Sequence, residues 1–258
     1  MRPLVIDKSF AQSIGIERLI QLSRGYHFLI PTAFYYELFT TEDRKRRMTA
    51  QGFPEFQRVH LPRLLQQERE TGKPMVSLDR KVMGINPAVA EEDFRLQSEE
   101  HIVLERHEKE SVEPRVDFWI EVAKTGVPGF SNEELQSCSG TPDQFAAFCT
   151  TLRARYRVRR IAEEMGYPHA SKLNERWIHF RHLQALALQG LVVLRKYGNP
   201  KNLISRENLE HDVQDLEYLT LGLHVGQLAT LENSKKFERM PMKWRFEILE
   251  PRGQVITS

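Results

Sequence analysis

Short hydrophobic runs alternate with amphipathic stretches in the first part of the chain. Residues 4–6 and 27–30 are short runs that are apolar except for His27, and such runs are typical of strands buried on both faces of a parallel sheet. Between them, the spacing of apolar residues predicts a helix over residues 9–24, with Ser9 as its cap and Gly25 at its end. The chain therefore opens with a predicted strand, helix and strand.

The same alternation continues and then returns near the C-terminal end. The pattern predicts further helices over residues 31–39 and 206–223. It predicts further strands over residues 75–78, 228–231 and 245–249. Strands that alternate with helices indicate an α/β protein with a central, mostly parallel sheet.

The middle of the chain has a different pattern. Residues 86–197 lack strand-like alternation and carry long charged or amphipathic stretches, which predict a mostly helical insertion. Residues 1–85 and 198–258 would then form one discontinuous α/β domain.

Composition and charge narrow the class of protein. With 258 residues, 40% of them hydrophobic, the chain can bury a sizeable core, which excludes a disordered protein. Cys138 and Cys149 match no zinc-binding spacing and are expected to be reduced thiols. The apolar opening ends at Asp7, so we expect neither a signal peptide nor a membrane partner, and a cytoplasmic location. A net charge of +2 is too small to indicate a polyanionic partner by itself.

Two acidic residues directly follow predicted strands. Asp7 follows the strand at residues 4–6, and Glu232 follows the strand at residues 228–231. Ligands of open parallel sheets bind at the carboxyl ends of the strands, so both carboxylates are candidates for one crevice. An aspartate at such a turn is also a common helix cap, and this alternative stays open for Asp7.

Three further acids lie on predicted helices. Glu37 belongs to a helix that is apolar around most of its circumference, so its carboxylate needs a buried partner, either an arginine or a shared cation. Asp212 and Asp215 lie on one helix face, where two like charges need solvent or a cation between them. An exposed helix edge explains the same spacing.

Carboxylates that meet in one crevice suit Mg²⁺ or Mn²⁺. Such an ion polarises a phosphate, lowers the pKa of an attacking water and neutralises charge on the leaving oxygen. The acidic residues therefore predict hydrolysis of phosphodiester bonds.

In the order of these residues the chain resembles the PIN-domain nucleases, which carry an Asp after the first strand, a helical Glu and later acids. The matching segments are Leu-Val-Ile-Asp at residues 4–7, Pro-Thr-Ala at residues 31–33 followed by Glu37 and Leu38, and Asp215 with Tyr218. The family's closing Thr-x-Asp is similar to Thr230, Leu231 and Glu232, with Glu in place of Asp. Asn233 is the alternative occupant of that last position, and Asp212 would then be a substitute ligand.

The resemblance implies a three-layer α/β/α fold and a metal-dependent endoribonuclease for single-stranded RNA, as in toxins, RNA processing or decay, and phage defence. It implies Asp7, Glu37, Asp212 and Asp215 as ligands of Mg²⁺ or Mn²⁺, with Glu232 as a further catalytic acid. A second copy of the chain or an inhibitor protein would be partners besides RNA. The departure at Glu232 leaves an alternative open, a PIN-like scaffold that has lost activity and binds RNA or protein.

Two basic clusters are candidates for contacts with an RNA backbone. The first is Arg44, Lys45, Arg46 and Arg47; the second is Arg153, Arg155, Arg157, Arg159 and Arg160, with Tyr156 and Tyr167 nearby. From these clusters, the predicted substrate contacts are Arg44, Lys45, Arg153, Arg157 and Arg160. The alternatives are an exposed loop for the first cluster, and for the second a helix face paired with acids such as Glu163 and Glu164.

Residues 176–182 suggest a competing chemistry. This segment, Arg-Trp-Ile-His-Phe-Arg-His, resembles the short motif of HEPN ribonucleases, in which Arg and His cleave RNA without a metal by acid–base chemistry. Its apolar residues Trp177 and Phe180 are also typical of an ordinary amphipathic helix.

Overall fold

Five parallel strands form one sheet in the part of the chain that the computed structural model describes. That part comprises residues 1–31, 34, 54–75, 117, 119–122, 125–197, 206–231 and 240–257, with the backbone alone for 197 and 206–214. The strands are β1 (Arg2–Ile6), β2 (Tyr26–Pro31), β3 (Phe56–Val59), β4 (Gln227–Ala229) and β5 (Gln254–Ile256). They lie in the order β3–β2–β1–β4–β5, and every neighbouring pair is parallel. The chain is therefore an α/β protein, as the pattern predicts.

The order of the strands across the sheet changes direction at β1. The chain proceeds from β1 to β2 and β3 on one side, whereas β4 and β5 lie on the other side. Leu4, Val5 and Ile6 are fully buried, and Val5 is aligned with Leu29 of β2 and Leu228 of β4. At such a reversal in an open parallel sheet, a crevice forms at the carboxyl ends of the two central strands.

Helices connect and cover these strands. They are α1 (Lys8–Ser13), α2 (Ile16–Ser23), α3 (Leu61–Thr71), α4 (Asn132–Leu135), α5 (Pro142–Cys149), α6 (Arg155–Glu164), α7 (Ile178–Tyr197), α8 (Arg206–Val225) and α9 (Met242–Leu249). The regular elements described between β3 and β4 are all helical. The helix predicted over residues 206–223 is confirmed as α8, while the domain boundaries at 85 and 198 stay a prediction.

Three predicted strands are confirmed with small shifts at their ends. The apolar runs at residues 4–6, 27–30 and 228–231 correspond to β1, β2 and β4. The strand predicted at residues 75–78 stays a prediction, since Met75 lies outside any strand and residues 76–78 fall outside the described residues. Of the helix predicted over residues 31–39, Pro31 belongs to β2, Phe34 is helical, and the other positions are not described.

The strand predicted over residues 245–249 is wrong, because these residues form most of helix α9. The buried residues of α9 are Met242, Arg245, Phe246 and Leu249, which is the three-and-four spacing of one helix face. The hydrophobic residues that suggested a strand are therefore the core face of a helix.

The single helix predicted over residues 9–24 is also corrected, since α1 and α2 are separated at Gly15. Gly15 has φ 77°, a left-handed conformation that favours glycine and interrupts the helix. The cap of α1 is Asp7 rather than Ser9, because the Asp7 side chain accepts from the Ser9 backbone N–H. The capping alternative for Asp7 is thus observed.

Candidate metal centre

Asp7 lies at the carboxyl end of β1, the strand at which the strand order changes direction. Its backbone N–H donates to the Ala229 carbonyl of β4 at 2.9 Å, which continues the ladder between the two central strands. Its side chain is 7% exposed. The buried run of residues 4–6 anchors the strand, so this carboxylate has a fixed place at the carboxyl edge of the sheet.

Two hydroxyl groups and one backbone N–H orient the Asp7 carboxylate. The Ser9 backbone N–H donates to Oδ1 at 3.3 Å, and the Ser9 hydroxyl donates to Oδ2 at 2.6 Å. The Thr230 hydroxyl donates to the same Oδ2 at 2.8 Å. Thr230 is fully buried, and its N–H donates to the Ile256 carbonyl at 3.1 Å. The ends of β1, β4 and β5 are therefore tied together around one carboxylate.

This environment fits a ligand of a hard cation. An ionised carboxylate has about four positions for hydrogen-bond donors or cations, and the three donors found among the described residues leave one of them, on Oδ1. Carboxylates that bind metals are themselves held by hydrogen bonds from neighbouring groups. Asp7 can therefore cap α1 and bind one cation through a single oxygen.

Asp215 lies on the side of the sheet's carboxyl edge. Helix α8 packs against β1 and leads through Gly226 into the amino end of β4, so it runs antiparallel to that strand. About 15 Å of helix separates Asp215 from Val225, against about 10 Å of strand from Gln227 to Thr230. Asp215 therefore lies beyond the carboxyl ends of the strands.

An arginine lies beside Asp215. Nη1 of Arg245, on α9, is 3.9 Å from Oδ2 of Asp215. The Arg245 side chain is 8% exposed, and that of Asp215 is 34% exposed. The predicted ligand Asp215 thus has the buried guanidinium of Arg245 on one side. Sequence reasoning missed Arg245, because it assigned the residue to a strand.

The other predicted ligands fall outside the described side chains. Glu37 and Glu232 are not described, and neither is the side chain of Asp212. Within the described part of the chain, no group of three His, Cys, Asp or Glu side chains is arranged to hold a metal ion. One contact bears on the surroundings of Glu37: the ring of Phe34 lies 6.2 Å from that of Tyr218 on α8. The chain just before Glu37 is therefore next to the helix that carries Asp215.

The arginines of the second basic cluster make contacts within the protein. Arg153 donates to the Ile248 and Glu247 carbonyls at the end of α9, which leads into the amino end of β5. Arg153 therefore lies toward the sheet edge opposite Asp7. Arg160 is paired with Glu164 at 3.4 Å. These contacts favour the structural alternative for this cluster over contacts with a substrate at Asp7. Arg44 and Lys45 lie outside the described residues.

Arg157 is the member of this cluster that is most clearly structural. It is 6% exposed, donates to the Gly129 carbonyl at 3.1 Å and lies over the Phe130 ring at 4.7 Å. Its guanidinium also binds Glu134, and this hydrogen bond lowers the pKa of Glu134 to about 2. A buried guanidinium with these partners does not offer a surface for RNA.

Side chains of the segment at residues 176–182 also make contacts within the protein. Arg181 is 8% exposed and forms an ion pair with Glu250 at 2.7 Å. Nδ1 of His182 lies 3.3 Å from the Thr220 hydroxyl on α8. Both side chains connect α7 to its neighbours, which favours the amphipathic-helix interpretation.

No protein-family profile, curated protein or solved structure matches this chain. None of the helices in the described residues is long and apolar enough to cross a membrane.

Proposed function

We propose that the protein is an endoribonuclease that depends on Mg²⁺ or Mn²⁺, acts on single-stranded RNA and has a PIN-like fold. The observation that carries this proposal is the place of Asp7: a buried, oriented carboxylate at the reversal point of an all-parallel sheet. The strand order supports a ligand site at that edge, and the donor chemistry supports a hard cation there.

In this proposal Asp7 and Asp215 would hold the ion, with Glu37, Asp212 and Glu232 as further acids. When bound, the ion would polarise the scissile phosphate and lower the pKa of the attacking water. Ser9 and Thr230 keep the Asp7 carboxylate in one orientation. Arg44 and Lys45 stay the proposed contacts to the RNA backbone, since they follow Glu37 closely in the sequence.

Cleavage assays with metal control test this function. The full chain is incubated with single-stranded RNA, double-stranded RNA and single-stranded DNA in Mg²⁺, Mn²⁺ or EDTA. We expect cleavage of single-stranded RNA with either metal, none in EDTA, and recovery when excess Mn²⁺ is added. Cleavage that persists in EDTA and disappears in His182→Ala would contradict the proposal and support acid–base chemistry at residues 176–182.

A second candidate function is a scaffold that binds RNA or protein without cleaving it. The proximity of Arg245 to Asp215 favours it, because a buried guanidinium can offset the charge of a carboxylate that no longer binds metal. Tight RNA binding with no cleavage in any metal would support the scaffold.

A further inference from the structure

Arg245 joins three separate segments at the edge of the candidate metal centre. Its Nε donates to the Met240 carbonyl at 2.8 Å. Its Nη1 donates to Oε1 of Gln189 on α7 at 2.8 Å and lies 3.9 Å from Asp215 on α8. Arg245 and Gln189 are both buried, so the hydrogen bond between them is shielded from water. The position of the guanidinium is therefore set by the fold rather than by solvent.

The Asp215 carboxylate has two different sides. The arginine approaches it from the protein interior, whereas about a third of the Asp215 side chain is open to solvent. A group behind a metal-binding side chain commonly fixes its orientation and tunes its affinity. Arg245 is in the place of such a group.

The backbone next to Arg245 is also fixed by it. Met240 has φ 41°, and it is the one non-glycine residue with a positive φ in the described chain. This conformation is strained for a residue with a side chain and persists only where the surroundings determine it. The hydrogen bond from Arg245 and the burial of Met240 supply that constraint.

We propose that Arg245 is a positioning residue of the metal centre. It orients the Asp215 carboxylate from the buried side, and its positive charge weakens the hold of that carboxylate on a divalent cation. The inference rests on the proposed function. Because like charges repel, removing the guanidinium charge tightens metal binding, even though the carboxylate is then less well oriented for turnover.

Two substitutions separate the effect of the Arg245 charge from the effect of its hydrogen-bond geometry. Arg245→Gln removes the charge, while Arg245→Lys keeps the charge but loses the planar fork that donates to both Met240 and Gln189. The control is Arg153→Gln, since Arg153 also donates to backbone carbonyls of α9 but lies toward the opposite sheet edge. Isothermal titration calorimetry measures the Mn²⁺ affinity of each full chain, the melting temperature confirms folding, and RNA turnover is measured at saturating Mn²⁺.

In Arg245→Gln we expect on the order of tenfold tighter Mn²⁺ binding, because a repelling charge is removed, together with slower turnover. In Arg245→Lys the Mn²⁺ affinity should stay within about twofold of wild type, because the charge is retained, while turnover falls. Arg153→Gln should bind Mn²⁺ like wild type. A merely structural role would lower the melting temperature without tightening Mn²⁺ binding.

Failure of the proposed function and failure of the role of Arg245 would give different results. A wild-type protein that binds no Mn²⁺ and cleaves no RNA overturns both the proposed function and the role of Arg245. Wild-type binding and cleavage, with unchanged Mn²⁺ affinity in Arg245→Gln or full turnover in Arg245→Lys, overturn the role of Arg245 alone.

Discussion

Asp7→Asn is expected to reduce RNA cleavage at least about 10³-fold, because an amide is a poor ligand for a hard cation. A bound metal supplies several kcal/mol of transition-state stabilisation, and each 1.36 kcal/mol is tenfold in rate. The substitution nearly preserves the size of the side chain and leaves one oxygen to accept from Ser9 or Thr230. The loss of stability should therefore be small, about 1 kcal/mol. The measurement is turnover in Mg²⁺ and Mn²⁺, with the melting temperature beside it.

Two control variants assign this loss to the metal centre. Asp143→Asn removes a carboxylate from the exposed first turn of α5 and should leave cleavage unchanged. Thr230→Val removes the hydroxyl that donates to Asp7 but keeps the carboxylate, so an intermediate loss is expected. Full activity in Asp7→Asn would rule out Asp7 as a metal ligand.

Glu68→Ala is expected to destabilise the fold by about 4 kcal/mol, because each buried donor left without a partner costs about 1–3 kcal/mol. Glu68 is fully buried near the end of α3. Its carboxylate accepts the backbone N–H groups of Met75 and Ile178 at 2.9 Å and of His179 at 2.8 Å. It therefore caps the first turn of α7 from a distant helix. Denaturant unfolding of the variant and wild type measures the difference.

The acid dependence of stability checks the same interaction. Burial opposes the charge on Glu68, but the His179 side chain, whose Nδ1 lies 3.6 Å from Oε2, and the hydrogen bonds from the three backbone N–H groups outweigh it and hold the pKa of Glu68 below 4.5. A carboxylate with a lowered pKa stabilises the folded state above its unfolded value, and this contribution is lost as the pH falls through the folded value. The difference in the free energy of unfolding between wild type and Glu68→Ala should therefore become smaller below pH 4.5.

A neighbour on the same helix provides the control. Glu70 is exposed and accepts only from Gln66 within α3, at 2.8 Å. Glu70→Ala should change the free energy of unfolding by no more than about 0.5 kcal/mol. Equal effects of the two substitutions would contradict the capping role of Glu68.

The predictions that the structure confirms came from patterns of residues that are close together in the sequence. The apolar run before Asp7 is contiguous in sequence, so it predicted both β1 and the position of an acid at its carboxyl end. Helix α8 was predicted because its apolar stripe continues for several turns. In contrast, the apolar residues of β5 are the pair Val255 and Ile256, which is too short a run to indicate a strand.

The remaining features depend on contacts between distant segments. Glu68 binds the N-terminus of α7 across more than a hundred residues, and nothing near Glu68 in sequence indicates that partner. Arg245 was misassigned because a five-residue window cannot separate a strand from the buried face of a helix. Arg157 was predicted on a substrate surface, yet its burial follows from Phe130 and Glu134, which lie in a different segment. Charge alone could not distinguish an internal arginine from an exposed one.

Anomalous diffraction from crystals soaked in Mn²⁺ would locate the bound ion without any assay of cleavage. We expect a Mn²⁺ peak at the carboxyl edge of the sheet, about 2.1 Å from a carboxylate oxygen of Asp7, with Asp215 among the surrounding acids. A crystal with no Mn²⁺ peak beside Asp7, or with a peak only at a site remote from this edge, would contradict it.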